Sequence, residues 1–181
     1  MLGWIKYLAQ QDGSHAGKAT MTDEIVELDL GVRPDAGVSG AVVLQTESMT
    51  ILTFIAVCST SETSPRGDKY LEPDQRAIVE FQRCLLTRFG HPNDEARWGI
   101  PKYAGSSYGI YEVKDSSWIK EVVAANRHSF PATPDDYVRR HFLFAFHDST
   151  FECLADDLSI KVVEQPYNEV FAETASRVLG E

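Results

Sequence analysis

The sequence predicts an α+β domain built mainly from antiparallel strands, arranged as a meander and hairpins, with about two later helices packed on one face. Short β-rich or alternating runs dominate the chain, short links join consecutive runs, and the helical patterns come late. A chain of 181 residues is long enough to bury one hydrophobic core. We therefore expect residues 1–23 to form an amino-terminal arm or loop and residues 24–181 to form a single domain.

The first half of the chain carries the patterns of four strands. Glu24–Leu30 alternates polar and apolar residues, and Val38–Gln45 and Met49–Val57 are β-rich runs joined by a short polar link. Ser59–Pro73 has no periodicity and is predicted to be a surface loop. Arg76–Phe89 fits both a helical and an alternating pattern, and we favour the strand.

A turn and an irregular segment precede the next strand. Gly90–Asp94 contains Pro, which fixes its own φ, and Asn and Asp, which hydrogen-bond the local backbone. Arg97–Ser107 is Gly- and aromatic-containing chain, expected to pack through Trp98 and Tyr103. Tyr108–Val113 alternates and is predicted to be a strand.

Two helices are predicted. The first has Asp115 or Ser116 as its N-cap, because either side chain can accept from the free amides of the first turn. Prolines end this helix, and its apolar stripe consists of Trp118, Ile119, Val122 and Val123. The second helix, Pro166–Leu179, ends before Gly180. Its residues expected to face inward are Val170, Phe171, Ala175 and Val178.

A β-hairpin between the helices is the most informative segment of the chain. Arg140–Phe146 and Thr150–Leu154 are predicted to pair through a turn at His147–Ser149. Three phenylalanines at alternate positions share one face of the first strand, so that face must enter a core. The polar turn therefore lies at the edge of a rigid element, and Leu158–Val163 follows as one more strand.

Composition excludes some classes of partner. The net charge of −10 repels nucleic-acid phosphates and anionic lipid surfaces, so we expect neither nucleic acid nor a membrane as a partner. No apolar run approaches the ~18 residues of a membrane helix, and Met1–Gln11 does not resemble a secretory signal, so a cytoplasmic location is expected. Three cysteines lie in apolar surroundings without Cys-x-x-Cys spacing, which indicates buried thiols without a redox role.

Catalytic candidates cluster at the hairpin. His147, Asp148 and Ser149 are adjacent, and adjacent residues cannot converge as a hydrolase triad does, so a capped turn is the favoured interpretation. The chemical alternative is a metal-dependent hydrolase that uses His147, Asp148 and Glu152, with His147 and Glu152 as candidate ligands of a divalent metal. The spacing matches no known metal motif, so no cofactor is expected.

Binding candidates come from the turn, the irregular segment and the hairpin. Asn93, Asp94 and Glu95 supply polar groups, and exposed aromatics can hold an organic or cationic ligand. The aromatic set considered for such a pocket is Trp98, Tyr103, Tyr108, Tyr111 and Trp118. The residues predicted to bind a ligand or partner are Asn93, Asp94, Glu95, Trp98, Tyr103, Tyr111, Arg140 and His147.

Three phrases of the sequence resemble those of a group of uncharacterised bacterial proteins. They are Phe89–Ala96, Gly109–Ile119 with its Tyr-Glu-Val and Ser-Ser-Trp-Ile segments, and Arg140–Cys153. The likeness spans about residues 24–163. It implies one contiguous domain and no particular activity.

These observations together favour a binding module over an enzyme. We expect a protein partner or a small molecule to bind a surface shared by the His91–Tyr111 region and the His147 turn. A binding module should expose an aromatic or apolar patch, whereas a hydrolase needs a pocket in which titratable groups converge.

Overall fold

A computed structural model describes residues 23–37, 39–58 and 75–180. Most of the predicted amino-terminal arm and all of the predicted Ser59–Pro73 loop lie outside these ranges. Within the described part of the chain, the α+β class with mainly antiparallel sheet is confirmed. Residues 23–37, 39–58 and 75–180 contain ten strands in two sheets, and all the pairings between them are antiparallel.

The first sheet has five strands and contains the predicted hairpin. Its members, in spatial order, are β1 (Glu24–Glu27), β7 (Gly109–Lys114), β8 (Arg140–Ala145), β9 (Thr150–Ala155) and β6 (Leu86–Gly90). Ala145 pairs with Thr150, and Phe146 N donates to Ser149 O at 3.0 Å, which closes the tight turn that carries His147. The hairpin is therefore confirmed, with its turn at the predicted position.

The second sheet contains the other five strands. Its members are β10 (Asp157–Glu164), β5 (Gln75–Gln82), β4 (Thr50–Cys58) and β2 (Val32–Pro34), with β3 (Val42–Gln45) also paired to β4. Strand β2 was not predicted. The segment predicted as one strand over Arg76–Phe89 is two strands, β5 and β6, because Arg83 adopts a left-handed backbone (φ 45°) and turns the chain from one sheet into the other.

The main core lies between the two sheets. Phe142, Phe144 and Phe146 are fully buried and pack against β4 and β5 of the opposite sheet. The ring centroid of Phe144 is 5.8 Å from that of Phe81, and the centroid of Phe146 is 5.5 Å from that of Phe54. The alternation of phenylalanines in the sequence thus marks the face of β8 that enters this core.

Helices lie on the outer faces of the sheets. The α-helices of the described part of the chain are α1 (Asp94–Trp98), α2 (Ser117–Ser129) and α3 (Tyr167–Leu179). Trp118 and Val123 of α2 pack with Leu154 of the first sheet, and Val170 of α3 packs with Ile51 and Ile78 of the second. The two long helices therefore cover different sheets, whereas a single covered face was expected.

Local details of the helices agree with the prediction except at two positions. Ser116 is the N-cap of α2, because its Oγ accepts from Ile119 N at 3.1 Å, and Gly180 ends α3 with a left-handed backbone. Phe171, which was expected to face inward, is exposed. Thr174 occupies the buried position instead and donates to Val170 O. Among the described residues, no helix combines the length and apolar character that crossing a membrane requires.

Candidate functional site

The β8–β9 turn meets helix α1, as the sequence predicted for the two polar tips. Asp94 N donates to His147 O at 2.9 Å, so the backbones of the two segments are joined directly. The side chains are joined as well, since Asp94 Oδ2 lies 2.8 Å from His147 Nδ1. Asp94 and His147 thus form one polar centre, although 53 residues separate them in sequence.

Helix α1 is only five residues long and is fixed by its N-cap. Asn93 Oδ1 accepts from Ala96 N at 3.1 Å, which satisfies an amide that the first helical turn leaves free. Thr150 Oγ1 donates to Pro92 O at 2.7 Å and so ties the residue before the cap to β9. The sequence predicted a turn here, and the structure shows that the same polar residues begin a short helix.

Tyr108 completes the polar centre. Its hydroxyl donates to Asp94 Oδ2 at 2.5 Å and lies 3.2 Å from His147 Nδ1. The hydrogen bond from Tyr108, together with that from His147, holds the pKa of Asp94 below its ordinary value despite some desolvation. The same bond raises the pKa of Tyr108. Asp94 is therefore a carboxylate whose oxygens accept from Tyr108, from His147 and, at 2.8 Å, from Glu95 N.

Arg97 supports this polar centre from the protein interior. Its side chain is fully buried, and Nη1 donates to Phe146 O at 2.7 Å, to Ser149 O at 3.2 Å and to Thr150 Oγ1 at 3.1 Å. These bonds hold both ends of the turn that carries His147. Burial lowers the pKa of Arg97, opposed chiefly by the nearby Asp94 carboxylate. Nε and Nη2 of Arg97 are buried without a hydrogen-bond partner among the described residues.

A pocket of about 380 Å³ opens beside the polar centre. Its walls combine acidic, aromatic and hydroxyl groups and are formed by Asp94, Glu95, Arg97, Trp98, Ser107 and Tyr108. The Trp98 side chain is 79% exposed, the highest value among the large apolar residues that the structure describes as exposed. Its indole is thus available to a ligand at the pocket rim.

Two further pockets adjoin this one. A second pocket of about 380 Å³ shares Ser107 and Tyr108 and extends to Arg33–Gly37, in the segment around β2. A third, of about 350 Å³, shares Trp98 and Ser107 and extends over Ala104–Ser106. Ser107 lines all three pockets, so the concave surface continues on both sides of the polar centre.

Five of the predicted binding residues gather at this site. Asn93, Asp94, Glu95, Trp98 and His147 lie in or beside the first pocket. Tyr111 is buried beneath it, where its hydroxyl accepts from Ser107 N at 3.0 Å and so supports the pocket wall.

Two predicted binding residues lie elsewhere. Tyr103 was expected in irregular, more exposed chain, but it is buried in the short helical turn Pro101–Tyr103 and donates to Glu152 Oε1 at 2.6 Å. Arg140 binds Glu112 at 2.9 Å and Asp157 at 2.6 Å, so its guanidinium links β8 to β7 and β10. Neither residue lines the pocket at Asp94 and His147.

Glu152 belongs to a second, buried polar cluster. His141 Nε2 lies 2.9 Å from Glu152 Oε2, and the Lys102 ammonium lies 3.3 Å from Glu152 Oε1. Burial would raise the pKa of Glu152, but the hydrogen bonds from His141 and Tyr103 and the charge of Lys102 outweigh it and lower the pKa to about 2. Glu152 is therefore an ionised carboxylate inside the protein.

Ser116 extends this cluster to helix α2. Ser116 Oγ lies 2.8 Å from His141 Nδ1, and both side chains are almost completely buried. The residue types are those of a hydrolase triad, but Ser116 Oγ also accepts from Ile119 N as the cap of α2. All three groups have hydrogen-bond partners, so the arrangement joins α2 to the first sheet as a structural network.

Of the three residues of the predicted metal-dependent hydrolase, Glu152 is held apart from His147 and Asp148 by its bonds in the buried cluster. Asp148 Oδ1 lies 3.9 Å from His147 Nε2 and is exposed, whereas both Glu152 oxygens are engaged by the buried cluster. Across residues 23–37, 39–58 and 75–180, no three His, Cys, Asp or Glu side chains group as metal ligands. His147 and Glu152 therefore do not share a site in this fold.

Sequence reasoning did not assign Arg97 and Ser107 to the site. It placed Tyr108 only in a possible aromatic pocket, without its bond to Asp94. An arginine four residues after an N-cap gives no signal of burial, because arginine in sequence indicates a surface position. Only the packing of α1 over the β8–β9 turn places its guanidinium inside.

Comparison of the chain with protein-family models, with curated proteins and with solved structures finds no match. The resemblance to a group of bacterial proteins stays a prediction.

Proposed function

We propose that this protein is a small-ligand-binding module and that its ligand is an organic cation. The cation is held in the pocket beside Asp94 and His147, which Trp98 and Tyr108 line. The observation that carries the proposal is that an exposed tryptophan and two carboxylates line the same 380 Å³ pocket. Ligand pockets of roughly 300–1,000 Å³ with apolar walls and a few placed polar groups are typical of small-molecule sites.

Charge supports a cationic ligand. Asp94 and Glu95 contribute two carboxylates to the pocket wall, against one guanidinium from Arg97. The Asp94 carboxylate already accepts from Tyr108 and His147, so Glu95 is the carboxylate that remains available as counter-ion. The net charge of −10 also steers cations toward the protein.

Aromatic side chains provide the second element of recognition. A cation over an aromatic face gains about 0.5–2 kcal/mol, with tryptophan the best partner. Trp98 is exposed, and Tyr108 is fixed by its hydrogen bond to Asp94, so its ring is preorganised. Preorganised groups lose little freedom on binding, which favours affinity.

A concave site favours a small ligand over a protein partner. Protein interfaces are flatter and bury roughly 800 Å² on each side, with aromatic anchors at their centre. Here the exposed indole lines two adjoining pockets. The metal-dependent hydrolase finds less support, because Glu152 is committed to the buried cluster.

The experiment is a calorimetric titration of the full chain with small amines and quaternary ammonium compounds, choline among them. Each cation is paired with its neutral isostere, in which carbon replaces the charged nitrogen. We expect the cation to bind at least about tenfold more tightly than its isostere, which corresponds to about 1.4 kcal/mol.

Two site variants and one control locate the binding. Trp98→Ala and Glu95→Gln should each weaken binding of the cation by about fivefold or more, because each removes one recognition element. Phe130→Ala is the matched control, since Phe130 is exposed but lines a different pocket beside the end of α2. The proposal would be contradicted if the cation and its isostere bound with equal affinity. It would also be contradicted if the Trp98 and Phe130 variants lost the same affinity for the cation.

A further inference from the structure

The pocket that adjoins the proposed cation site contains an arginine. This second pocket is lined by Arg33 of β2 and by Ser107 and Tyr108, which also line the first pocket. The strand neighbours of Arg33, Val32 and Pro34, are buried, so strand alternation directs the Arg33 side chain to the opposite, exposed face. The backbone of Arg33 is fixed by its pairing with β4 of the second sheet.

The guanidinium of Arg33 can bind a ligand. Within the described part of the chain, it has no hydrogen bond and no ion pair. Asp35 lines the same pocket, but it is only 8% exposed, and its Oδ1 accepts from Gly37 N at 2.8 Å. Arg33 is therefore the exposed charge of the second pocket.

Opposite charges thus lie on the two sides of one continuous concave surface. Asp94 and Glu95 line the first pocket, and Arg33 lines the second. A ligand with positive charge alone would be repelled by Arg33 where it extended into the second pocket. A ligand with an anionic end would be attracted there, so the charge pattern favours a ligand that carries both signs.

We propose that the organic cation also carries a carboxylate, so that the ligand is a zwitterion of the betaine or amino-acid class. Its ammonium group lies beside Trp98 and Glu95 in the first pocket, and its carboxylate lies beside Arg33 in the second. A guanidinium suits this role because its planar fork matches the two oxygens of a carboxylate. This inference rests on the proposed function, since it assigns the second end of the same ligand.

Ser107 supplies a hydroxyl where the two pockets meet. Its backbone is fixed, because its N donates to the Tyr111 hydroxyl at 3.0 Å and its O accepts from that hydroxyl at 3.3 Å. Ser107 Oγ lies 3.5 Å from the same hydroxyl, longer than a normal hydrogen bond between hydroxyl groups. The exposed Ser107 hydroxyl can therefore donate to a ligand carboxylate.

A zwitterion also suits the charge of the whole chain. The net charge of −10 repels a free anion at long range, so Arg33 alone is a poor site for one. A zwitterion has no net charge and is not repelled as a whole. The carboxylate is therefore bound as part of a molecule whose ammonium group occupies the acidic pocket.

The test is a calorimetric titration of the native full chain with a series of trimethylammonium carboxylates. Glycine betaine is the shortest, and the longer members have more methylene groups between the two charges. Each carboxylate is paired with its primary amide, which keeps the cation and the size but not the negative charge. We expect the best carboxylate of the series to bind at least about fivefold more tightly than its amide.

One variant and a matched control locate the carboxylate. Arg33→Gln should weaken the carboxylate by about fivefold or more, because its partner is lost, and should not weaken the amide. Arg139→Gln removes the same charge at a side chain that is 63% exposed and lines neither pocket. This control should keep the preference for the carboxylate. Thermal unfolding of both variants shows whether they are folded.

Two outcomes would overturn this inference while the proposed function stands. In the first, the native chain binds every carboxylate and its amide equally, and both more tightly than the neutral isostere. In the second, folded Arg33→Gln keeps the full preference for the carboxylate. If the native chain bound no member of the series and no other organic cation, the proposed function would fall together with this inference.

Discussion

At the scale of single residues, the fold places charged groups in its interior and provides each of them with partners. Glu152 accepts from His141 and Tyr103, and Arg97 donates to three oxygen atoms of the β8–β9 turn. Burying a charge is costly unless hydrogen bonds compensate it. The partners therefore decide whether these residues stabilise the protein.

Glu152 should make the stability depend on pH. Its pKa falls from an ordinary 4.5 to about 2 on folding, so its contribution is fully present above about pH 4.5 and is lost as the pH falls toward 2. The contribution is at most about 3 kcal/mol. Urea unfolding at about pH 7 and about pH 3 should show a large stability gap between wild type and Glu152→Gln at the higher pH, and this gap should shrink to less than half at the lower pH.

Glu121→Gln serves as the control for this measurement, because Glu121 is an exposed residue of α2. Its stability should follow that of the wild type at both pH values. If the gap between wild type and Glu152→Gln were the same at both pH values, the ionised state of Glu152 would not contribute in the way described.

At the scale of elements, an N-cap and contacts with the β8–β9 hairpin hold the short helix that supplies the pocket wall. A helix of five residues cannot be stable alone, since isolated helices shorter than about 12 residues are marginal. Asn93 caps it, Thr150 binds the preceding carbonyl, and Asp94 N donates to His147 O. Helix α1 is therefore stabilised by tertiary contacts more than by the propensity of its residues.

Asn93→Ala should loosen α1 and weaken ligand binding together. Loss of an N-cap costs about 1 kcal/mol, and Asp94 and Trp98 both depend on the helix for their positions. Hydrogen exchange of the α1 amides should accelerate about fivefold. Asn168→Ala, at an exposed position of α3, should leave these amides unchanged. Unchanged exchange in Asn93→Ala would show that the cap does not stabilise α1.

At the scale of the whole molecule, the two sheets are held by one aromatic core. Phe144 of β8 contacts Phe54, Phe81 and Phe151, with ring centroids 6.1, 5.8 and 5.9 Å away. These rings come from both sheets, so the core joins them into one unit. The outer faces are then covered separately, by α2 on the first sheet and α3 on the second.

Phe144→Ala should strongly destabilise the protein, by about 3–5 kcal/mol, because it leaves a cavity at the centre of this core. Phe130→Ala, at an exposed residue, should change the stability by no more than about 0.5 kcal/mol. Chemical unfolding of both variants measures the difference. If Phe144→Ala lowered the free energy of unfolding by less than about 1 kcal/mol, the packing of the two sheets would not depend on the Phe144 ring.

The strand pattern of β8 and β9 was readable in the sequence because the alternation of phenylalanines reflects burial of one face. Sequence patterns also located His147 in the turn and left Asp115 or Ser116 as the start of α2, and the structure shows Ser116 there. It did not find α1 or β2, which are short elements stabilised by distant residues. It placed the helices on one face, since helix periodicity shows which stripe is buried but not against which sheet.

Sequence alone determined the α+β class, the hairpin and the candidate residues Asn93, Asp94, Glu95, Trp98 and His147. Only the tertiary structure decided that Tyr108 and Arg97 complete the pocket. The physical reason is that local periodicity records which side of an element is buried. Contacts between residues dozens of positions apart depend on how whole sheets and helices pack.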